Sequence, residues 1–250
     1  MRVLVREKSR SVDEENPYWI SFSDLMSALL VVFILAAVAL IIELTETQKK
    51  VENSIDQLKN AEQARRDILY EIKAELEKQN VKVLIAENDT VLRIPESTLA
   101  FSSNSYNLPK NKTVRASVRV IGQILHKAIN RPFNQSVTDK RRFDYLDTVF
   151  IEGHTDSQRT KRIKGNWGLS TFRAISLWEY WNAELTLLPR FEEMSNAYGK
   201  KLFSMSGYSA TRRINKVELT PADRRENRRI DIRFTVKRPQ ILELKEIVER

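Results

Sequence analysis

The run from Leu25 to Ile42 is 18 residues without a charge, a glycine or a proline, and Ser27 alone breaks its apolar side chains. A stretch of that length is long enough to cross the hydrocarbon of a bilayer as a helix. Ala37-Val38-Ala39 resembles a signal-peptidase site, but the long polar segment before the run and the apolar residues beyond that tripeptide favour a retained membrane helix. Arg2, Arg6, Lys8 and Arg10 precede it, whereas Glu43 and Glu46 follow directly. Basic flanks stay on the cytoplasmic side, so residues 43–250 are expected outside the cytoplasm, in a bacterial periplasm.

The chain has no cysteine and a formal net charge of +9. Disulfides therefore do not hold the exported part together. An exported basic surface meets anionic envelope polymers first, so no direct nucleic-acid partner is expected. The expected organisation is a cytoplasmic tail over 1–17, a transmembrane helix over 18–42, a helical linker over 43–80 and a folded domain over 81–250. In the linker, Val51, Ile55 and Leu58, then Leu69, Ile72 and Leu76, step by three and four around Glu62 and Arg65. Two short segments paired with partner helices, a plug, and a solvated spacer all fit that pattern.

From Val81 the period changes. "VKVLIAENDTVLRI" reads as a hairpin about Glu87-Asn88-Asp89, "VRASVRVIGQILHKAI" as an amphipathic helix and "LDTVFIEG" as a buried strand. "LSTFRAISLWEYWNAEL" reads as a second helix, and "KLFSMSGY" and "RRIDIRFTV" as further strands. "NRPFNQSVTDKRRF" and Leu187 to Lys200 read as loops. The order predicts an α+β chain: one transmembrane helix, a helical linker, then an α/β sandwich with helices on one face of a mixed sheet.

Enzymatic chemistry finds little support. With two histidines, His126 and His154, and no cysteine, a zinc site lacks any recognisable ligand spacing. His154 and Asp156 suggest part of a triad, but no nucleophile motif accompanies them. No Gly-rich phosphate loop is present, and the expectation is a non-enzyme with neither cofactor nor metal. "GHTDSQ" at a strand end and "NWGLSTFRA" at a helix start are the better candidate, because exposed donors gather at such ends. Asp156 offers a carboxylate to an ammonium group and Arg173 a fork to a carboxylate, a clamp for a zwitterion. By spacing alone, a salt bridge between the two is the simpler account.

"FIEGHTDSQ", "NWGLSTFRAISLWEYW", "FSMSGYSATRRI" and "RRENRRIDIRF" resemble, in order, the signatures of the OmpA-like peptidoglycan-binding domain. The resemblance covers most of residues 90–236. It implies that Asp156 and Arg173 grip the diaminopimelate of the stem peptide, that Thr155, Asn166 and Leu169 line the pocket, and that Arg229 belongs to the closing Asn-Arg-Arg motif. The stretch Ser157 to Gly165, with Arg159, Lys161, Arg162 and Lys164, is more basic than usual for that family.

Asp24 stands at the mouth of the apolar run. Ser21 and Asp24 have capping-box spacing, which would make the acid a helix cap. The other reading is an acid at membrane depth, facing partner helices, that takes up and releases protons. "FSDLMSALLVVFIL" is similar to the membrane helix of MotB-type stator subunits, in which the Asp carries the proton. That resemblance implies two copies of the chain within a ring of five MotA-type subunits. Trp19-x-x-Phe22-Ser23-Asp24-Leu25-Met26-Ser27 most resembles the ZorB subunits of Zorya anti-phage systems, whose ring partner is ZorA; flagellar MotB is the alternative, and a passive membrane-to-wall tether a third.

Overall fold

The computed structural model describes residues 17–133 and 140–238, which divide at Asn53 and Ser54 into two units. The expected cytoplasmic tail, except Pro17, lies outside the described residues, as does part of the loop after Pro132. Helix α1 runs Pro17–Lys78. Within the first unit its apolar side chains, from Tyr18 to Leu44, are exposed. It is long and apolar enough to cross a membrane by length and composition. A protein surface this apolar needs lipid or partner helices to cover it.

The second unit opens with the remainder of α1, and here the linker expectation changes. Ala61, Ala64, Ile68, Leu69, Ile72 and Leu76 are each at most 1 % exposed. All but Ala64 belong to the same apolar cluster as the sheet. The compact unit thus begins near Ser54 rather than at Val81. Glu71 is tied to Arg131 and Arg142 at 3.0 and 2.7 Å. The unbroken helix propensity of this stretch hides the point at which exposed stripe becomes core.

Next come β1 (Leu84–Ala86), β2 (Val91–Pro95), α2 (Lys112–Asn130), β3 (Leu146–His154), α3 (Gly165–Glu184), β4 (Phe203–Gly207), α4 (Pro221–Asn227) and β5 (Arg229–Val236). The hairpin turns through Glu87, Asn88 and Asp89, all with positive φ. The sheet order is β1-β2-β5-β3-β4, antiparallel except for the parallel pair β3 and β4. The mixed sheet with helices is as the sequence order predicts. The short α4, headed by a Thr220–Asp223 capping box, is an addition to it.

Register decides what each face carries. Leu92, Ile232 and Ile151 lie in one row, and Ile94, Ile230 and Gly153 in the next, all toward the helical layer. The alternate residues put Arg93, Asp231 and Glu152 in a row on the other face, with Arg229 opposite His154. Helix α3 packs so closely on β3 and β4 that a Cβ on Gly153 would come 2.0 Å from the Ser170 carbonyl oxygen, and one on Gly207 2.3 Å from Thr171 Oγ1. Two neighbouring strands therefore need glycine where the helix crosses. That close approach lets Ser170 Oγ accept from the Ser209 N–H at 3.0 Å and brings Arg173 to the end of β3.

Candidate functional site

Asp156 and Arg173 face one cavity of about 550 Å³, which Thr155, Asn166 and Leu169 also line. Five of the six wall-site residues named from sequence are thus together. The two charges do not pair with one another. Arg173, 5 % exposed, donates to the carbonyls of Ser105 at 3.0 Å and Ser102 at 3.3 Å and lies over the Phe101 ring at 5.0 Å. Burial pulls its guanidinium down to about 10, against the pull of Glu96, so it stays cationic at neutral pH. Its Nη1 has no hydrogen-bond partner among the described residues.

Asp156 Oδ1 accepts from the Gln158 N–H at 3.1 Å, while Oδ2 accepts from Arg228 Nη1. Asn166, in the first turn of α3, reaches back to the carbonyls of Asp156 at 3.2 Å and Gln158 at 2.9 Å. That bond ties the helix start to the strand end. Thr155 Oγ1 and Asn166 Oδ1 are buried with no hydrogen-bond partner among the described residues. Orphaned buried polar atoms are costly, and two beside a charged cavity are what a polar ligand would satisfy.

Arg229 does not reach this cavity. Its guanidinium bonds Asp231 at 3.0 Å and the carbonyls of Asn227 and Arg212 on the other face of the sheet. Arg228, its neighbour, lines the cavity and holds Glu96 by two bonds, 2.6 and 2.7 Å, besides Asp156. Period two at the start of β5 sends successive side chains to opposite faces, a signal the motif alone does not resolve. Glu96 and Phe101 lie in the turn after β2, where no periodicity marks them. The third member of the motif, Asn227, is a clasp. Its side chain accepts from the N–H groups of Ile214 and Asn215 and donates to Glu218, which in turn accepts from Ser157.

The basic stretch after Asp156 contributes Arg159 and Thr160 to the cavity wall, and Arg162 bonds the Asn104 carbonyl across its mouth. Lys164, in the left-handed region at φ 63°, caps α3 through its backbone. The wall as a whole carries three guanidiniums, Arg159, Arg173 and Arg228, against two carboxylates, Glu96 and Asp156.

On the other face, His154 neighbours Asp231 at 3.5 Å and Glu152 at 3.8 Å rather than Asp156, so the triad arrangement is not made. Ligating atoms of Glu152, His154 and Asp231 lie within 4.8 Å of one another. Every carboxylate there is already bonded to arginine: Glu152 to Arg233 at 2.8 and 3.0 Å, and Asp231 to Arg93 and Arg229 at 3.0 Å. A divalent cation would meet three guanidiniums, so the cluster is balanced by arginine and does not fit a metal.

Toward the other end of the chain, α1 is already helical at Pro17, which places Ser21 and Asp24 inside the helix and rules out the capping box. Asp24 is exposed on the helix surface. Ser27 bonds back to the Ser23 carbonyl at 2.8 Å and not to the acid.

No family model matches the sequence, and no curated protein matches it. Among solved structures, a putative MotB-like protein from Desulfovibrio vulgaris superposes with a TM-score of 0.51 at 17 % identity, covering 72 % of this chain and 99 % of that one. The shared property is the fold. The periplasmic domain of Helicobacter pylori MotB follows at TM-score 0.46 and 18 % identity, over 67 % of this chain and 90 % of that one. The cell-wall anchor of the type VI secretion system from Pseudomonas aeruginosa scores 0.46 at 20 % identity, over 69 % and 99 %.

Proposed function

We propose that the chain is a stator-like subunit of an inner-membrane motor, single-pass with its N-terminus cytoplasmic, that grips peptidoglycan through the periplasmic unit. Asp156 takes the free ammonium of diaminopimelate in the stem peptide, and Arg173 its carboxylate. Asn166 and Thr155 supply an acceptor and a hydroxyl to the same end group, Leu169 packs on its methylenes, and Arg229 braces the sheet behind. The observation that carries this reading is the cavity itself, where an acid and a guanidinium face common space without pairing and two buried polar atoms await partners. Asp24 is the proton carrier, in two copies of the chain within a five-membered MotA- or ZorA-like ring, and the setting is a Zorya-type defence against phage.

Wall binding is the part that a direct experiment reaches first. Full-length protein in detergent is mixed with purified sacculi and sedimented. Asp156→Ala and Arg173→Ala should each reduce the bound fraction about 10- to 100-fold in apparent affinity, the range of a lost charged hydrogen bond. Both variants sedimenting like wild type would remove the assignment.

A further inference from the structure

Arg173 and Asp156 are not equally available. The arginine is pinned by two backbone carbonyls and an aromatic face, with Nη1 left for a ligand. The aspartate has Oδ1 committed to a backbone N–H and Oδ2 taken by Arg228. A cation entering the cavity finds its oxygen already occupied by a guanidinium.

We propose that Arg228 is a latch on Asp156, standing where the ligand's ammonium must sit, and that Glu96 is the seat that keeps it paired when the latch opens. This inference rests on the wall-binding reading above. The geometry suits opening. Glu96 holds Nε and Nη2 in a bidentate pair at 2.6 and 2.7 Å, whereas Asp156 holds only Nη1. Breaking the single bond leaves the guanidinium paired, so the exchange strands no buried charge. The Arg228 side chain is 27 % exposed, far more open than Asp156 at 8 %. A pivot of the guanidinium on the Glu96 carboxylate therefore opens the Asp156 bond on the solvent side.

The latch also selects. With three guanidiniums against two carboxylates, the closed cavity repels a simple amine and attracts a carboxylate. A zwitterion carries both ends: its carboxylate anchors on Arg173, and its ammonium then has the proximity to take Asp156 from Arg228. Diamines are refused because they bring no anchor.

Calorimetry on the detergent-solubilised full chain tests this with three probes that share the same carbon chain between their end groups: meso-diaminopimelate, pimelate without the amines, and cadaverine without the carboxylates. Arg228→Gln should tighten diaminopimelate by roughly three- to tenfold, the scale of a partly exposed ion pair, and admit cadaverine, which wild type excludes. Glu96→Gln should act in the opposite direction, weakening diaminopimelate by a similar factor, because the released arginine loses its seat. Arg228→Lys, which keeps the charge but not the fork, covers the case in which the glutamine variant does not fold, and should tighten less. Weaker binding by Arg228→Gln and Arg228→Lys, alongside lost binding by Asp156→Ala, would mean that Arg228 holds the ligand itself; the latch would fall and the wall-binding reading would stand. Absence of diaminopimelate binding in every variant, together with wild-type failure to sediment with sacculi, would remove both.

Discussion

His154 shows what burial does to a single titratable group. It is 2 % exposed, stacks on Tyr208 at 5.5 Å, and neither ring nitrogen has a hydrogen-bond partner among the described residues. Burial, helped by the Arg229 charge, holds its pKa below the usual 6.5 even though Glu152 and Asp231 pull upward. The unfolded chain then binds protons more readily than the folded one, so this contribution to stability is complete above about pH 6.5 and is lost as pH falls below it, by at most about 1.4 kcal/mol per pH unit. Glu152 behaves in a separate window. Burial raises its carboxyl, but His154 and Arg233, the latter bonded at 2.8 and 3.0 Å, outweigh that and hold it at about 2. Its share is complete above about 4.5 and lost toward pH 2. Melting of the detergent-solubilised chain between pH 7.5 and 5.5 should therefore show falling stability, and His154→Gln should flatten part of that slope. His126, also pushed down by burial, keeps the rest. An unchanged slope in the variant would mean that another group supplies it.

Among the elements, α1 departs furthest from what its sequence suggests. Val51 and Leu69 occupy equivalent places in the same three-four pattern, yet Val51 is 37 % exposed and Leu69 is 0 %. The expected difference in stability is large. Leu69→Ala opens a cavity in the core of the second unit and should cost about 2–5 kcal/mol, whereas Val51→Ala should stay within about 0.5 kcal/mol, both read from the unfolding midpoint. Equal, small effects would return residues 61–76 to the status of a spacer. The strands and α2 and α3 were legible because their periods of 2.0 and 3.6 are local properties of the chain. The place where a uniform helix enters a core is set by partners tens of residues away, such as Arg131 and Arg142 on Glu71, and leaves no local mark. The same reasoning divides the candidate site. Asp156, Arg173 and Asn166 sit in compact motifs, but Glu96 and Phe101 reach the cavity only because β2 pairs with β5. Arg228 was written beside Arg229, and the strand's alternation decides which of the two faces the cavity.

For the whole molecule, the two units ask different things of one chain: an apolar stretch, Tyr18 to Ile42, with Asp24 as its one acid, and a domain whose cavity sets Asp156 and Arg173 against common space. An anchor needs only the second. The acid is the part that a tether leaves unexplained, since Asp24, inside α1, is not its cap. A carboxylate at membrane depth is costly, and the proton-carrier role proposed for Asp24 gives it a use there. Asp24→Asn keeps the size and polarity and removes the carboxyl on which the proposed role depends. In cells carrying the chain with its neighbouring genes, this substitution should abolish protection in phage plating assays while protein level and sacculus binding stay at wild-type values. Asp24→Glu should retain part of the protection, because it keeps a carboxyl and shifts it by one methylene. Full protection with Asp24→Asn would mean that no proton passes through this position, and the chain would then be a passive tether between membrane and wall. Loss of protection with intact wall binding would separate the two units functionally, with the domain holding still while the helix responds to the proton gradient.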